Sequence, residues 1–72
     1  MNMTPTEKIK VLLDRKKMTI GTLAYVTGQT RQNLSNKLKR DNFSYNELKA
    51  IAAALGCTLD ITFIDNESSE RL

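Results

Sequence analysis

Apolar positions along the chain fall into four helical groups and then change period. Ile9, Leu12 and Leu13 lie three to four residues apart. Ile20, Leu23 and Ala24, with Thr27, give a narrower second face. Leu34 and Leu38 stand one turn apart, and Leu48, Ile51, Ala52 and Leu55 form a fourth stripe. From Cys57 onward, Cys57, Leu59, Ile61 and Phe63 alternate with Thr58, Asp60 and Thr62, the two-residue period of a half-buried strand. The pattern predicts a mostly α fold, four helices followed by one C-terminal β-strand. No internal repeat or low-complexity stretch interrupts it.

Start and stop signals agree with that division. Thr4-Pro5-Thr6-Glu7 offers a cap, a proline suited to the first helical position, and a glutamate that completes a capping box. Arg15-Lys16-Lys17 ends the first helix. Thr19 caps the second, and Gly28 stands where a helix stops on a left-handed residue. Thr30 caps the third. Asp41-Asn42-Phe43 reads as a loop with Phe43 turned inward. Ser44 and Glu47 make a second capping box, and Gly56 closes the fourth helix. Residues 1–56 are thus expected to be one helical domain and 57–65 its strand. Residues 66–72 read as a polar, flexible tail that frays.

Seventy-two residues make one small domain with a modest core. An apolar content of 40% is too high for a disordered chain. The net charge of +3 conceals a division. Residues 1–40 carry nine Lys or Arg against two acids, a net +7; residues 41–72 carry two against six, a net −4. The first part suits a polyanion. No apolar run approaches the ~18 residues of a membrane span, and no basic-then-apolar leader is visible. Cys57, the single cysteine, reads as a small core residue and fits a reducing, cytoplasmic location. The chain has no histidine, no phosphate-binding glycine loop and no evident pair of inward carboxylates. The expectation is therefore no enzyme activity, no cofactor and no metal.

The third helix carries the candidate chemistry. Leu34 and Leu38 bury its back, leaving Arg31, Gln32, Asn33, Ser35, Asn36 and Lys37 around the exposed side. Arg, Gln and Asn are the side chains that hydrogen-bond base edges in a DNA major groove. Helical geometry favours the first turn and the residue one turn on. Arg31, Gln32 and Asn36 therefore lead as base readers, with Asn33 at the margin of that set. Lys37, Lys39 and Arg40 lie further along and suit phosphates. Small Ala24 allows the second helix to cross closely, and Gly28 makes the turn. The bland alternative is an ordinary solvated face, with Tyr25 and Tyr45 as rings covering a core edge.

The Ala24–Gly28–Leu34 spacing, the run Thr30-Arg31-Gln32-Asn33-Leu34-Ser35-Asn36 and the fourth helix ending at Gly56 resemble the phage repressor and Cro family of helix-turn-helix regulators, over about residues 5–56. The resemblance implies a compact four-helix domain that binds double-stranded operator DNA, usually as a dimer. It implies base contacts at Arg31, Gln32 and Asn36, and phosphate contacts at Thr30 and from Asn42 to Tyr45. Two positions depart from the family pattern. Ile20 opens the second helix where a glutamine is frequent, and Gln29 follows the turn glycine where an apolar residue is usual.

These readings converge on a repressor-like, sequence-specific transcriptional regulator acting as a homodimer. Leu59, Ile61 and Phe63 are expected to be its dimerisation element, pairing antiparallel with the same strand of a second copy. The alternative is a strand folded back against residues 1–4. A second function class also fits: a protein-interaction module, such as an antitoxin or adaptor, that binds a partner chain.

Overall fold

The signals at the helix ends place four helices: α1 (Pro5–Arg15), α2 (Ile20–Val26), α3 (Arg31–Arg40) and α4 (Tyr45–Ala54). The structure is a computed structural model and describes residues 3–72. Both capping boxes form. Thr4 N donates to Glu7 Oε1 at 2.8 Å, and Glu7 N donates to Thr4 Oγ1 at 3.2 Å. Ser44 N donates to Glu47 Oε1 at 2.8 Å, and Glu47 N donates to Ser44 Oγ at 3.1 Å. Thr19 and Thr30 accept from the backbone N–H groups of Thr22 and Asn33. Each cap satisfies a donor that has no partner within its own helix.

The C-terminal ends share one device. Past α2, Gln29 N donates to Ala24 O at 2.9 Å and Gly28 N to Tyr25 O at 3.1 Å, with Gly28 at φ +74°. Past α4, Cys57 N donates to Ala52 O at 2.8 Å and Gly56 N to Ala53 O at 3.1 Å, with Gly56 at φ +69°. These are paired Schellman bonds around a left-handed residue. The ends of α1 and α3 make the same turn without glycine, on Lys17 (φ 55°) and Asp41 (φ 52°). A left-handed conformation costs an L-residue roughly 1–2 kcal/mol, less for Asp, whose short polar side chain can hydrogen-bond nearby.

For Asp41 the contact is visible. Its Oδ1 accepts from Thr6 N at 2.9 Å, and Thr6 Oγ1 donates to Leu38 O at 2.9 Å. Thr6 is buried. Its hydroxyl and amide therefore find partners at the end of α3 rather than in water. The first turn of α1 is tied to the last turn of α3.

The core is assembled from all four helices. Ile9 and Leu13 of α1, Leu23 and Ala24 of α2, Leu34 and Leu38 of α3, and Ile51 with Leu55 at the end of α4 are buried. Leu12, Met18, Ile20, Phe43, Leu48, Ala54 and Cys57 pack against them, partly buried. Phe43 and Cys57 thus turn inward as their positions predict. Ile20 serves as an apolar anchor where the family often carries a glutamine.

The predicted strand does not form in the single chain. Residues 57–63 are irregular, and the one bridge among the described residues pairs Ile64 with Arg71, antiparallel. The physical reason is the missing neighbour. Among the described residues, the backbone N–H groups of 58–62 have no backbone partner. A strand exists only as one side of a ladder. Met1 and Asn2, half of the segment considered as an intramolecular partner, lie outside the described residues. The alternation itself survives at the start, with Cys57 and Leu59 partly buried and Thr58 and Asp60 exposed. Ile61 and Phe63 are exposed, at 47% and 73%.

Beyond residue 62 the tail is drawn into a turn. Phe63 and Leu72 exchange N–H···O bonds at 2.9 and 2.8 Å, and Asp65 N donates to Glu70 O at 2.8 Å. Glu67 N donates to Asp65 Oδ1 at 2.9 Å, and Ser69 takes a left-handed φ of 63°. Asp and Ser are residues that form such local turns, so a polar tail has folded on its own chemistry.

Candidate nucleic-acid interface

Burial of Leu34 and Leu38 fixes how α3 is rotated, and rotation fixes what it presents. At ~100° per residue, Gln32, Asn36 and Lys39 fall opposite the buried stripe. Arg31 and Ser35 fall on one flank; Asn33, Lys37 and Arg40 fall on the other. Arg31, Gln32, Asn33, Lys39 and Arg40 are exposed, and Asn36 and Lys37 are half-buried.

The two flanks differ in their neighbours. On the first, the Arg31 stem runs beside the start of α2: a methyl group placed on Gly21 would meet Arg31 Cδ at 3.6 Å. On the second, α3 and α4 enclose two adjoining grooves. One is lined by Asn33, Lys37, Asn46, Glu47 and Ala50, together with the turn Thr27–Gln29. The other is lined by Asn33, Asn36, Lys37, Arg40, Ser44 and Glu47, with Asn42 and Phe43. Asn33, marginal on spacing alone, therefore stands at the rim of both grooves. Leu59, Ile61 and Phe63 line neither.

Within the reading set, Gln32 Nε2 donates to Asn36 Oδ1 at 3.0 Å. The bond uses one of two amide hydrogens. It leaves the second N–H and Oε1 of Gln32 free, the donor and acceptor that match adenine N7 and N6. Thr30 is engaged as the α3 cap, its hydroxyl accepting from Asn33 N at 3.0 Å. Asn42 and Tyr45 are exposed at the α3–α4 junction.

Sequence reasoning passed over Lys49, whose ammonium lies 5.4 Å from the centroid of the Tyr45 ring. The signal was present: residues 45 and 49 are one turn apart on α4, the spacing at which helical side chains meet. It also passed over the ion pair between Lys37 and Glu47. Gln29 turns its amide to the core side of the turn. Its Nε2 donates to Thr27 Oγ1 at 2.9 Å, while Oε1 is buried without a hydrogen-bond partner.

Glu47 is held well below the usual carboxylate range, moving from 4.5 to about 2. The first cause is the hydrogen bond from the Lys37 ammonium, followed by the one from the Ser44 backbone. A depressed acid stabilises the fold above its unfolded value, and the contribution disappears as the group is protonated. Wild type should therefore lose melting temperature between about pH 4.5 and 2, more steeply than Glu47→Gln, which has nothing to titrate there. Parallel acid-side melts of the two proteins check this. Equal slopes in that window would show that the pair adds no stability.

The face combines the Arg31 guanidinium and the Gln32 and Asn33 amides in the first turn of α3 with cations along its last turn, Lys37, Lys39 and Arg40. That is the division a duplex requires, with bases read and phosphates held. Among the described residues, no three His, Cys, Asp or Glu side chains gather as a metal site. None of the helices there is long and apolar enough to cross a membrane. Residues 8–60 match the family model of the Cro/C1-type HTH DNA-binding domain. No curated protein and no solved structure matches the chain. The match spans most of the 72 residues and all of the turn, α3 and the grooves beside it, so the chain belongs to the Cro/C1-type helix-turn-helix family of DNA-binding proteins.

Proposed function

We propose that this protein is a repressor-like regulator that occupies a specific operator as a homodimer in the cytoplasm. The observation that carries the reading is the polar row of exposed Arg31, Gln32 and Asn33 and half-buried Asn36, set on a helix whose other side, Leu34 and Leu38, is locked in the core. Arg31 carries a planar fork that matches the two acceptors of guanine, and Gln32 matches adenine. Thr30, Lys39, Arg40, Asn42 and Tyr45 hold the sugar-phosphate backbone. Residues 1–56 are the DNA-binding domain, 57–65 the dimerisation element, and 66–72 the end of the tail.

Dimerisation follows from the tail segment. Ile61 and Phe63 are exposed, the backbone N–H groups of residues 58–62 have no backbone partner among the described residues, and a second copy supplies both an apolar face and a ladder. A two-fold symmetric operator requires two recognition helices ~34 Å apart, one turn of DNA, and an antiparallel pair supplies the two-fold axis. Selection of bound duplexes from a random library tests the whole. A two-fold symmetric site supports operator reading by a dimer. An enriched single half-site overturns the dimer, and no enrichment overturns sequence reading.

Reading and holding separate by mutation. Arg31→Ala should cost ~1–3 kcal/mol on the selected site and relax preference at one position per half-site. Lys39→Ala should weaken all duplexes about equally and reduce the salt slope by about one unit. Titrations on matched and mismatched duplexes at several salt concentrations distinguish them. An Arg31→Ala protein with unchanged affinity and preference would remove α3 as the reading helix.

A second reading, an interaction module for a partner chain, draws on one observation. Tyr25 and Val26 at the end of α2 are 85% and 56% exposed. A stable hetero-complex that DNA does not compete with, and no retention on DNA, would favour it.

A further inference from the structure

We propose that Glu47 holds Lys37 back from the DNA backbone, as an internal stand-in for a phosphate, and so lowers affinity for duplexes of any sequence. The proposal rests on α3 facing DNA. Lys37 stands in the last turn of α3 among the cations that suit phosphate, yet its ammonium is paired with Glu47 Oε2. Lys39 and Arg40 in the same turn are exposed and have no ion-pair partner among the described residues.

The pair is built rather than incidental. Glu47 Oε1 accepts from Ser44 N at 2.8 Å, so the capping box fixes the carboxylate while the other oxygen takes Lys37. The anion is anchored to the backbone at the start of α4. Both partners are about two-thirds shielded, at 29% and 32% side-chain exposure, so water and salt screen the pair less than an open surface pair. Lys37 and Glu47 line both grooves beside α3, and Asn42 and Arg40, which suit phosphate, line the second of them.

The consequence is arithmetic. A lysine that neutralises a phosphate releases about 0.9 counterion and gains affinity on every duplex alike. A lysine already holding a carboxylate exchanges one anion for another, and Glu47 then repels the incoming phosphate. Withholding Lys37 leaves base contacts untouched while reducing the sequence-independent term. Specific and non-specific affinities fall by the same factor, so their ratio is unchanged while the protein spends less time on duplexes of any sequence.

The test is a double-mutant cycle on a mixed-sequence duplex, with affinity measured against salt for wild type, Glu47→Gln, Lys37→Gln and the double variant. Glutamine keeps the capping box and removes only the charge. The expected result is that Glu47→Gln steepens the salt slope by about 0.9 unit and binds about fivefold tighter near ~0.15 M salt, and that most of this gain is absent in the Lys37→Gln background. An equal gain in both backgrounds would be a general charge effect and overturns the proposal, as does no gain in either. If wild type binds no duplex even at low salt, the DNA-facing reading of α3 falls, and the proposal falls with it.

Discussion

Ile61→Asp should yield a folded monomer whose operator affinity is lower by about 10²–10⁴-fold, the advantage that linking two binding modules confers. The fold should survive because Ile61 is 47% exposed and lies outside the buried core. Binding should not survive intact, because each monomer carries one recognition helix. In the dimer, docking of the first helix places the second at high effective concentration over its half-site. An aspartate in the middle of the segment sets two like charges across the two-fold axis, which destabilises a cross-strand pair. Truncation after Gly56 should also yield a weaker-binding monomer, at some cost in stability, since Cys57 packs against the core and its N–H closes the end of α4. Sedimentation at micromolar concentration of the intact protein and both variants, followed by operator titration, decides it. If intact protein and Ile61→Asp sediment alike, whether as monomers or as dimers, residues 57–63 are not the interface.

Leu34→Ala should cost ~3–5 kcal/mol and leave little folded protein at 37 °C. Leu34 is 0% exposed, and the site is walled by side chains from the other helices, so the cavity has little room to collapse. A domain of 72 residues has roughly 4–11 kcal/mol in total at ~0.05–0.15 kcal/mol per residue, so one methyl-lined void removes a large part of it. By contrast, Asn33→Ala, one position away, should fall within ~0.5 kcal/mol because its side chain is exposed. Denaturant melts of the two variants give the comparison. A Leu34→Ala loss below that of Asn33→Ala would mean that α3 is rotated differently from the arrangement described.

Local signals proved readable because they are decided within a few residues. Thr4 with Glu7 and Ser44 with Glu47 form their boxes, and Gly28 and Gly56 take the left-handed turn, each from chemistry contained in one segment. The family was legible for the same reason: the turn and α3 are contiguous. What escaped depends on the meeting of distant segments. Thr6 is an ordinary helix residue until the end of α3 reaches it. Glu47 has no visible attachment to Lys37, ten positions earlier on another helix. Lys17 and Asp41 were not marked as left-handed, because nothing in a lysine or aspartate alone demands it. The alternation from Cys57 to Phe63 was real as a pattern and misleading as an element within one chain. Period two states which residues share a face and says nothing about what lies beside the backbone.

The isolation of the reading row bears on how this protein changes over generations. Gln32 and Asn36 hydrogen-bond to each other, Gln32 and Asn33 are exposed and Asn36 half-buried, and none of the three belongs to the buried core. Substitutions at these three positions leave the packing of Leu34 and Leu38 intact. With base reading by α3 as proposed, target preference is free to drift by single steps without passing through an unstable intermediate. A duplicated copy can diverge toward a new site while its scaffold stays the same. The same property makes these positions the natural ones to randomise when a regulator orthogonal to the parent is sought.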